Sequence, residues 1–209
     1  MALYALRKKI LSFSPKPAEF LQGLSSNVWD APQNAFLDVR GRIVATADQQ
    51  RVSDDEVWEA VEEPFAERLE KHLAKYLLVS ETRVRQVEGV RAYFDLSDGR
   101  VLFSRGDLRA DATEEDFTRY RLDHRIPIQG KDYDEEMLLN LADERYVSYS
   151  KGCFLGQEII ARVHYRAKPP RRLAVVEAKE GDPRVPRLTS RIFDPVRSIY
   201  RGFIFEENS

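Results

Sequence analysis

Cysteine and histidine are scarce in this chain of 209 residues, which contains one cysteine, Cys153, and three histidines. A single cysteine cannot form a disulfide within the chain. It also cannot supply the several thiolates that hold a structural zinc ion or an iron–sulfur cluster. Because the histidines lie far apart, at His72, His124 and His164, we predict no metal site. The lack of a disulfide framework is typical of a reducing compartment.

Long apolar runs are also lacking, and neither sign of charge prevails. The chain has 33 Lys plus Arg against 35 Asp plus Glu, a net charge of −2 that disfavours a globally basic nucleic-acid-binding protein. Residues 1–11 (MALYALRKKIL) place their charges after a very short apolar stretch, the reverse of a secretory signal. These patterns predict a cytoplasmic protein without a membrane partner and without direct nucleic-acid binding.

The helical patterns are clear. Hydrophobic residues make up 43% of the chain, enough for a sizeable core. Residues 64–78 repeat apolar side chains every four positions, which predicts an amphipathic helix. Thr113 followed by three acidic residues is typical of a capped helix start, and this helix should end near His124. A further helix is expected over residues 156–165.

The strand patterns divide the chain into two parts. Residues 35–45 predict a β-hairpin around Arg40-Gly41, and Lys168-Pro169-Pro170 marks the clearest boundary. Every later segment is strand-like, at residues 172–178, 188–193 and 199–205. We therefore predict an α+β main domain over residues 1–168 and a small C-terminal β domain over residues 169–209, packed on the first.

Residues 151–158 (KGCFLGQE) carry the most distinctive chemistry. Two glycines flank the cysteine, and a predicted helix opens just after it. Lys151 and the helix N-terminus both favour the thiolate form, which predicts a reactive thiol. The alternative is that Cys153 is a small buried hydrophobic residue, as single cysteines commonly are.

Two charged segments have both a functional and a structural interpretation. A basic run is a candidate site for a carboxylate or phosphate, or a solvated surface; it comprises Arg162, Arg166, Lys168, Arg171 and Arg172. Asp123 and His124, between Arg121 and Arg125, suggest acid–base chemistry, or a solvated helix end.

The block at 151–158 resembles the K-G-C-[aromatic]-x-G-Q-E signature of YgfZ-type folate-binding proteins, relatives of the glycine-cleavage aminomethyltransferase. Other segments extend the resemblance from about residue 18 to residue 205. They are Phe20-Leu21-Gln22-Gly23 with Asn27, Gly41-Arg42-Ile43, His72-Leu73-Ala74-Lys75-Tyr76, Arg121-Leu122 with Ile126-Pro127, and Leu188-Thr189-Ser190 with Pro195.

The resemblance implies an aminomethyltransferase-like fold, with α+β segments around a central folate channel and a short C-terminal β-barrel-like domain. It implies tetrahydrofolate, or a one-carbon derivative, as the ligand. It also implies a role in assembling or repairing iron–sulfur enzymes, including those that modify tRNA. Cys153 and Lys151 become the expected catalytic pair. The expected folate-binding residues are Asp123, Arg121, Asn27, Gln157, Glu158 and Arg162.

Departures from the family pattern bear on the activity. Ala45 stands where aminomethyltransferases have an aspartate needed for transfer, so the transfer reaction should be absent. Asp123 falls where those enzymes have a pterin-binding glutamate, and a carboxylate there can accept from the pterin N–H donors. Arg125 replaces the usual glycine of this element, and the tail is shorter than in full-length relatives.

Two other functions remain open from the sequence. One is folate-dependent aminomethyl transfer or demethylation, which Ala45 disfavours. The other is a non-catalytic interaction module that has kept the scaffold without the ligand, which Arg125 and the short tail favour.

Overall fold

A computed structural model describes residues 2–208 and contains mixed helices and strands. The strands are β1 Leu3–Ala5, β2 Lys8–Ser14, β3 Gln33–Leu37, β4 Ile43–Ser53, β5 Glu56–Glu62, β6 Arg83–Gln86, β7 Arg91–Asp95, β8 Arg100–Ser104, β9 Arg171–Lys179, β10 Thr189–Asp194 and β11 Ile199–Glu207. The helices are α1 Pro17–Leu24, α2 Glu63–Leu77, α3 Glu114–His124 and α4 Gln157–Arg166, with short 3-10 turns at Leu138–Leu141, Glu144–Tyr146 and Val185–Arg187.

A five-stranded antiparallel sheet forms the centre of the molecule, with strand order β3-β4-β5-β2-β6. One face packs against α1 and α2, and the apolar core there includes Phe13 of β2, Leu21 of α1 and Leu69 of α2. The opposite face carries Ile10 and Trp58, which pack towards the smaller sheet β1-β7-β8. The inner strands β2 and β5 of this sheet are therefore covered on both faces.

Local sequence accounts for the helices. Leu69 and Leu73 of α2 are fully buried, as their spacing predicts, while Lys71 and Glu67 form an exposed ion pair. The predicted capping of α3 is confirmed. The Thr113 hydroxyl accepts from the Asp116 backbone amide, and the Asp116 carboxylate accepts from the Thr113 backbone amide. No helix within residues 2–208 is long and apolar enough to cross a membrane.

The C-terminal segment forms an open three-stranded sheet, with strand order β10-β11-β9. The predicted strands are confirmed, but the expected barrel-like closure is not. Leu173 and Phe203 from this sheet share a core with Leu122 of α3, so the segment packs on the rest of the molecule as expected. The division of the chain into domains at residue 168 remains a prediction.

Strands β2 and β5 were not predicted, and neither was β1, which has three residues. A strand covered on both faces lacks the alternation of apolar and polar residues that marks a half-buried strand. In β5 the pattern is further disguised, because Glu59 lies fully buried in the middle of the strand. In β2 the first residues are Lys8 and Lys9, which read as surface charges.

Candidate functional site

A cavity of about 1010 Å³ opens beside the first strands of the molecule. It lies where the end of β1, the start of β2 and the start of α2 meet α3 and the loop after it. Its polar lining includes the acidic residues Glu62, Glu63 and Glu114 and the basic residues Arg7, Lys8, Arg91 and Lys131. A volume above 300 Å³ is typical of a small-molecule or cofactor site, so this central cavity is the leading candidate.

An inner pocket of about 40 Å³ adjoins the central cavity. Thr46, Asp48 and Tyr146 line this inner pocket. Six residues line both spaces and form the neck between them: Leu6, Lys8, Glu62, Phe117, Ile128 and Gln129. The inner pocket has room for about one water molecule, which occupies roughly 30 Å³ in the liquid.

Lys8 and Glu62 of this neck lie beside a third buried charge, Asp48 of the inner pocket, and we call these three residues the ionic floor. The Lys8 ammonium lies 2.7 Å from Asp48 Oδ2 and 3.0 Å from Glu62 Oε1, and each side chain is at most 16% exposed. Burial by itself lowers the pKa of Lys8, but the two carboxylates outweigh it and raise that pKa above its usual value. Lys8 is therefore an ammonium held between two acids.

The outer end of the cavity contains a second set of charges. Glu114, in the first turn of α3, accepts hydrogen bonds from the Tyr4 hydroxyl and from the Lys131 ammonium. Burial and the neighbouring Glu114 raise the pKa of Tyr4 to about 12, so the phenol is a neutral donor. Arg91 pairs with Asp107 at 3.0 Å. The lining thus offers cations towards solvent as well as acids.

The loop at residues 151–156, which we call the motif loop, packs against two other segments. The Leu155 amide donates to the Gly23 carbonyl at 2.9 Å. Gly156 has φ +84°, and a Cβ on it would lie 2.6 Å from the Asp38 carbonyl and 3.2 Å from the Gly41 Cα. Glycine is therefore required at residue 156, both for its conformation and for this approach. Segments carrying the family resemblance are thereby brought together.

The structure places Cys153 and Lys151 in different environments. Cys153 is a free, exposed cysteine, so the interpretation of a buried hydrophobic residue is wrong. The Lys151 ammonium instead points inwards and donates to the Ser25 and Asn27 carbonyls at 2.6 and 2.7 Å. Desolvation lowers the pKa of Lys151 to about 8. These hydrogen bonds fix the motif loop to the segment after α1.

Arg121 and Asp123, two of the expected folate-binding residues, have different environments on α3. Arg121 is fully buried, pairs with Asp132 at 2.7 Å and donates to the Ser190 hydroxyl at 2.7 Å. The Asp123 side chain is 55% exposed and accepts from Arg201 at 2.8 Å. Neither residue lines the central cavity. Both connect α3 to the C-terminal sheet.

Asn27 lies buried beside Lys151. Its side-chain amide donates to the Gln33 and Arg145 carbonyls at 3.0 and 2.8 Å, so these donors are already used within the protein. Gln157 is half-buried at the start of α4.

Glu158 and Arg162 form an exposed ion pair one turn apart on α4, with 2.9 Å between the charged groups. In the same basic run, Arg171 pairs with Glu136, and Arg172 lies 3.4 Å from Glu206. Much of the run's charge is therefore already balanced.

The departures from the family pattern have clear structural settings. Ala45 is fully buried in β4, in the core beneath α1 and α2, and places no ionisable group there. Arg125 follows α3 with φ 54°, a left-handed conformation that glycine adopts without strain. The chain therefore keeps the turn of the usual glycine while presenting an arginine.

Sequence reasoning missed the ionic floor. Thr46 and Asp48 share one face of β4 because they are two residues apart, and Lys8 pairs in register with Glu62. The alternation of side chains along each strand could have predicted this cluster, but only once β2, β4 and β5 are known to be neighbours. Without that register, Lys8 and Glu62 look like ordinary surface charges.

A search of solved structures found similarity to the glycine cleavage system aminomethyltransferase T from Bartonella henselae. The TM-score is 0.73 at 14% sequence identity, over 99% of this chain and 78% of that protein. No family model matches the chain, and a search of curated proteins found no match. The chain therefore has the fold of an aminomethyltransferase, which confirms the predicted fold at this level.

Proposed function

We propose that this chain binds tetrahydrofolate, or a one-carbon derivative of it, in the central cavity. The observation that carries the proposal is the cavity of about 1010 Å³, with carboxylates at its inner end, in a chain with an aminomethyltransferase fold. The resemblance of residues 151–158 to the YgfZ-type signature supports the same ligand. Fold and signature are independent observations, since the first depends on geometry and the second on residue identities.

The charges of the lining suit the two ends of a folate. A pterin ring presents an amino group and ring N–H donors, which carboxylates accept. Asp48 and Glu62 supply such carboxylates at the inner end. The glutamyl carboxylates of the tail need cations, and Arg7, Arg91 and Lys131 line the wide part of the cavity. We therefore orient the pterin inwards and the tail towards these basic residues.

Asp123 is the competing position for the pterin. The resemblance points to this carboxylate, whereas in the structure it is half exposed and pairs with Arg201. The carboxylates of the ionic floor are buried and that of Asp123 is not, so we place the pterin at the ionic floor. Asp48→Asn and Asp123→Ala distinguish the two positions.

We propose further that the protein is an accessory factor for the assembly or repair of iron–sulfur enzymes, including tRNA-modifying ones. Support comes from the YgfZ-type signature around Cys153 and from the exposure of that thiol. An exposed thiol can meet a client protein as a nucleophile, a redox group or a transient ligand. Lys151 acts here by positioning the motif loop through its two carbonyl contacts.

Aminomethyl transfer is the less favoured function. Ala45 is buried and carries no acid, so the aspartate that the transfer needs has no counterpart at this position. Folate-dependent turnover of an aminomethyl donor would revive this alternative.

Isothermal titration with tetrahydrofolate tests the ligand. The wild type should bind saturably, Asp48→Asn should weaken binding about tenfold or more, and Asp123→Ala and Cys153→Ala should bind like the wild type. Weaker binding by Asp123→Ala alone would move the pterin to the resemblance position. No binding at millimolar ligand would contradict the proposal and favour a non-catalytic interaction module.

The accessory role is tested in cells that lack the protein. Iron–sulfur tRNA-modifying enzymes should lose activity, measured as the corresponding modified nucleosides by mass spectrometry. The wild type should restore these nucleosides and Cys153→Ala should not. The control is that the variant folds and binds folate like the wild type. Full restoration by Cys153→Ala would remove the thiol from the function.

A further inference from the structure

The ionic floor contains one ammonium for two carboxylates. Lys8 at the start of β2 and Glu62 at the end of β5 are partners in register, and Asp48 reaches the same ammonium from β4. All three side chains are at most 16% exposed. Buried charges are costly unless they are balanced, and here one negative charge is left over beside a cavity. The floor therefore favours an additional positive or donor-rich group.

The space around the floor restricts how a ligand can reach it. The inner pocket beyond Lys8 measures about 40 Å³, too small for a ring. Lys8 also borders the outer cavity of about 1010 Å³, into which its flexible four-carbon stem can turn. A ligand head group can meet both carboxylates only by taking the place of the Lys8 ammonium.

The chemistry of two carboxylates around one ammonium defines the head group that can replace it. The Lys8 ammonium lies 2.7 and 3.0 Å from its two acidic partners. A planar amidine-type edge, with N–H donors on two nitrogens bonded to the same carbon, offers hydrogen bonds to carboxylates. A carboxylate head group would instead add a third negative charge. The floor thus distinguishes ligands by the charge and donors of the head.

We propose that Lys8 occupies the head-group position of the cavity in the free protein and yields it to ligands with an amidine-like edge. This inference rests on the proposed function in one respect, since it specifies the head group selected by the same cavity. It makes Lys8 a specificity-determining residue. Asp48 and Glu62 are then the acceptors that the head group contacts.

Benzamidine and benzoate test the inference, because they share a ring and differ in the head group. Isothermal titration of the full chain should show benzamidine binding at least about tenfold tighter than benzoate. Asp48→Asn removes the surplus charge and leaves Lys8 balanced by Glu62, so this variant should fold and lose about tenfold in benzamidine affinity. Lys8→Met, which removes the competing ammonium, should bind benzamidine more tightly than the wild type.

The neighbouring lysine provides the control. Lys9 follows Lys8 on β2 and points to the opposite face of the sheet, so Lys9→Met should leave both affinities unchanged. Equal binding of the two probes, or an unchanged benzamidine affinity in Asp48→Asn, would overturn the inference. If Lys8→Met does not fold, the benzamidine affinity of Asp48→Asn still tests the inference.

Tetrahydrofolate titrated into the same proteins separates this inference from the proposed function. Failure to bind tetrahydrofolate, together with the benzamidine pattern above, would contradict the folate proposal and support the head-group inference. Binding of tetrahydrofolate without any preference for benzamidine would support the folate proposal and overturn the inference.

Discussion

The central cavity and the motif loop each contain a buried lysine ammonium, and the two environments shift the lysine pKa in opposite directions. Lys8 lies between Asp48 and Glu62, and these carboxylates raise its pKa. Lys151 donates to the carbonyls of Ser25 and Asn27 and lies over the Phe154 ring, and desolvation lowers its pKa to about 8. A carbonyl dipole satisfies a donor but does not balance a charge.

The difference separates two kinds of buried polar group. The ionic floor stays charged and borders open space, as expected of groups that meet a ligand. Lys151 belongs to a contact between two backbone segments, as expected of a group that holds a loop in place. A perturbed pKa alone therefore does not mark a binding site, and the adjoining cavity is what distinguishes Lys8.

Among the substitutions that test this comparison, Lys8→Met should cause the largest loss of stability. The substitution leaves two neighbouring carboxylates without their cation, and removing one partner of a buried ion pair costs about 3 kcal/mol or more. The free energy of unfolding from urea titration measures the loss. Lys9→Met is the matched control and should change stability by less than about 0.5 kcal/mol. Equal losses in the two variants would contradict the role of Lys8.

Gly156→Ala should break the motif loop by a backbone effect. The alanine must adopt φ +84° and would bring its Cβ within 2.6 Å of the Asp38 carbonyl. We expect a loss of roughly 2–4 kcal/mol, combining conformational strain with overpacking.

Gly89→Ala separates these two causes. Gly89 has φ +69° but nothing within 4 Å of an added Cβ, so this variant carries the strain without the clash. Thermal unfolding should show the smaller loss for Gly89→Ala. Equal losses would show that the contact between the motif loop and Asp38 adds nothing.

Glu59→Met should stabilise the protein, in contrast to Lys8→Met. Glu59 is fully buried in β5, and its two carboxylate oxygens have no hydrogen-bond partner within residues 2–208. Replacing such a group with an apolar side chain should gain roughly 1–3 kcal/mol at neutral pH. Urea titration measures the gain, and a loss of stability would mean that Glu59 has a bound partner.

The pH dependence of this variant has a definite sign. Desolvation, the largest cause, and the charge of Asp48 raise the pKa of Glu59 well above 4.5. The folded state therefore keeps the Glu59 proton to higher pH than the unfolded chain does. Wild-type stability should fall as pH rises above about 4.5, and Glu59→Met should remove this part of the slope.

The lowered pKa of Lys151 should be visible as a difference in the slope of stability against pH. Its folded pKa of about 8 lies below the usual 10.5, so between these values the unfolded chain binds more protons than the folded one. Wild-type stability should therefore rise from pH 8 to pH 10.5 relative to that of Lys151→Met. Urea titrations of both proteins across this range measure the difference. Parallel curves would contradict the lowered pKa.

How far the sequence predicts the molecule depends on how local each signal is. The four-residue spacing of Leu69 and Leu73 predicts helix α2, and Thr113 with the acidic residues after it predicts the start of α3. The motif loop was also identifiable, because its glycines and cysteine lie together in the chain. Its contact with Gly41 was not, since that depends on how distant segments pack.

The ionic floor depends on register and not on local pattern. Lys8, Asp48 and Glu62 come from three strands, and only the order β4-β5-β2 brings them together. Asp123 shows the converse difficulty. It lies two residues from Arg121 on α3, but Arg121 is fully buried and pairs with Asp132, whereas Asp123 is half exposed and pairs with Arg201. The family resemblance implies that both residues bind folate, but it does not show how each side chain is packed.

A crystal structure with 5-formyltetrahydrofolate, a stable folate, tests the central claim most directly. We expect the pterin to lie at Asp48 and Glu62, with the Lys8 side chain turned into the outer cavity and the glutamyl tail near Arg7, Arg91 or Lys131. Folate density at Asp123, or a central cavity without ligand under saturating folate, would contradict the account.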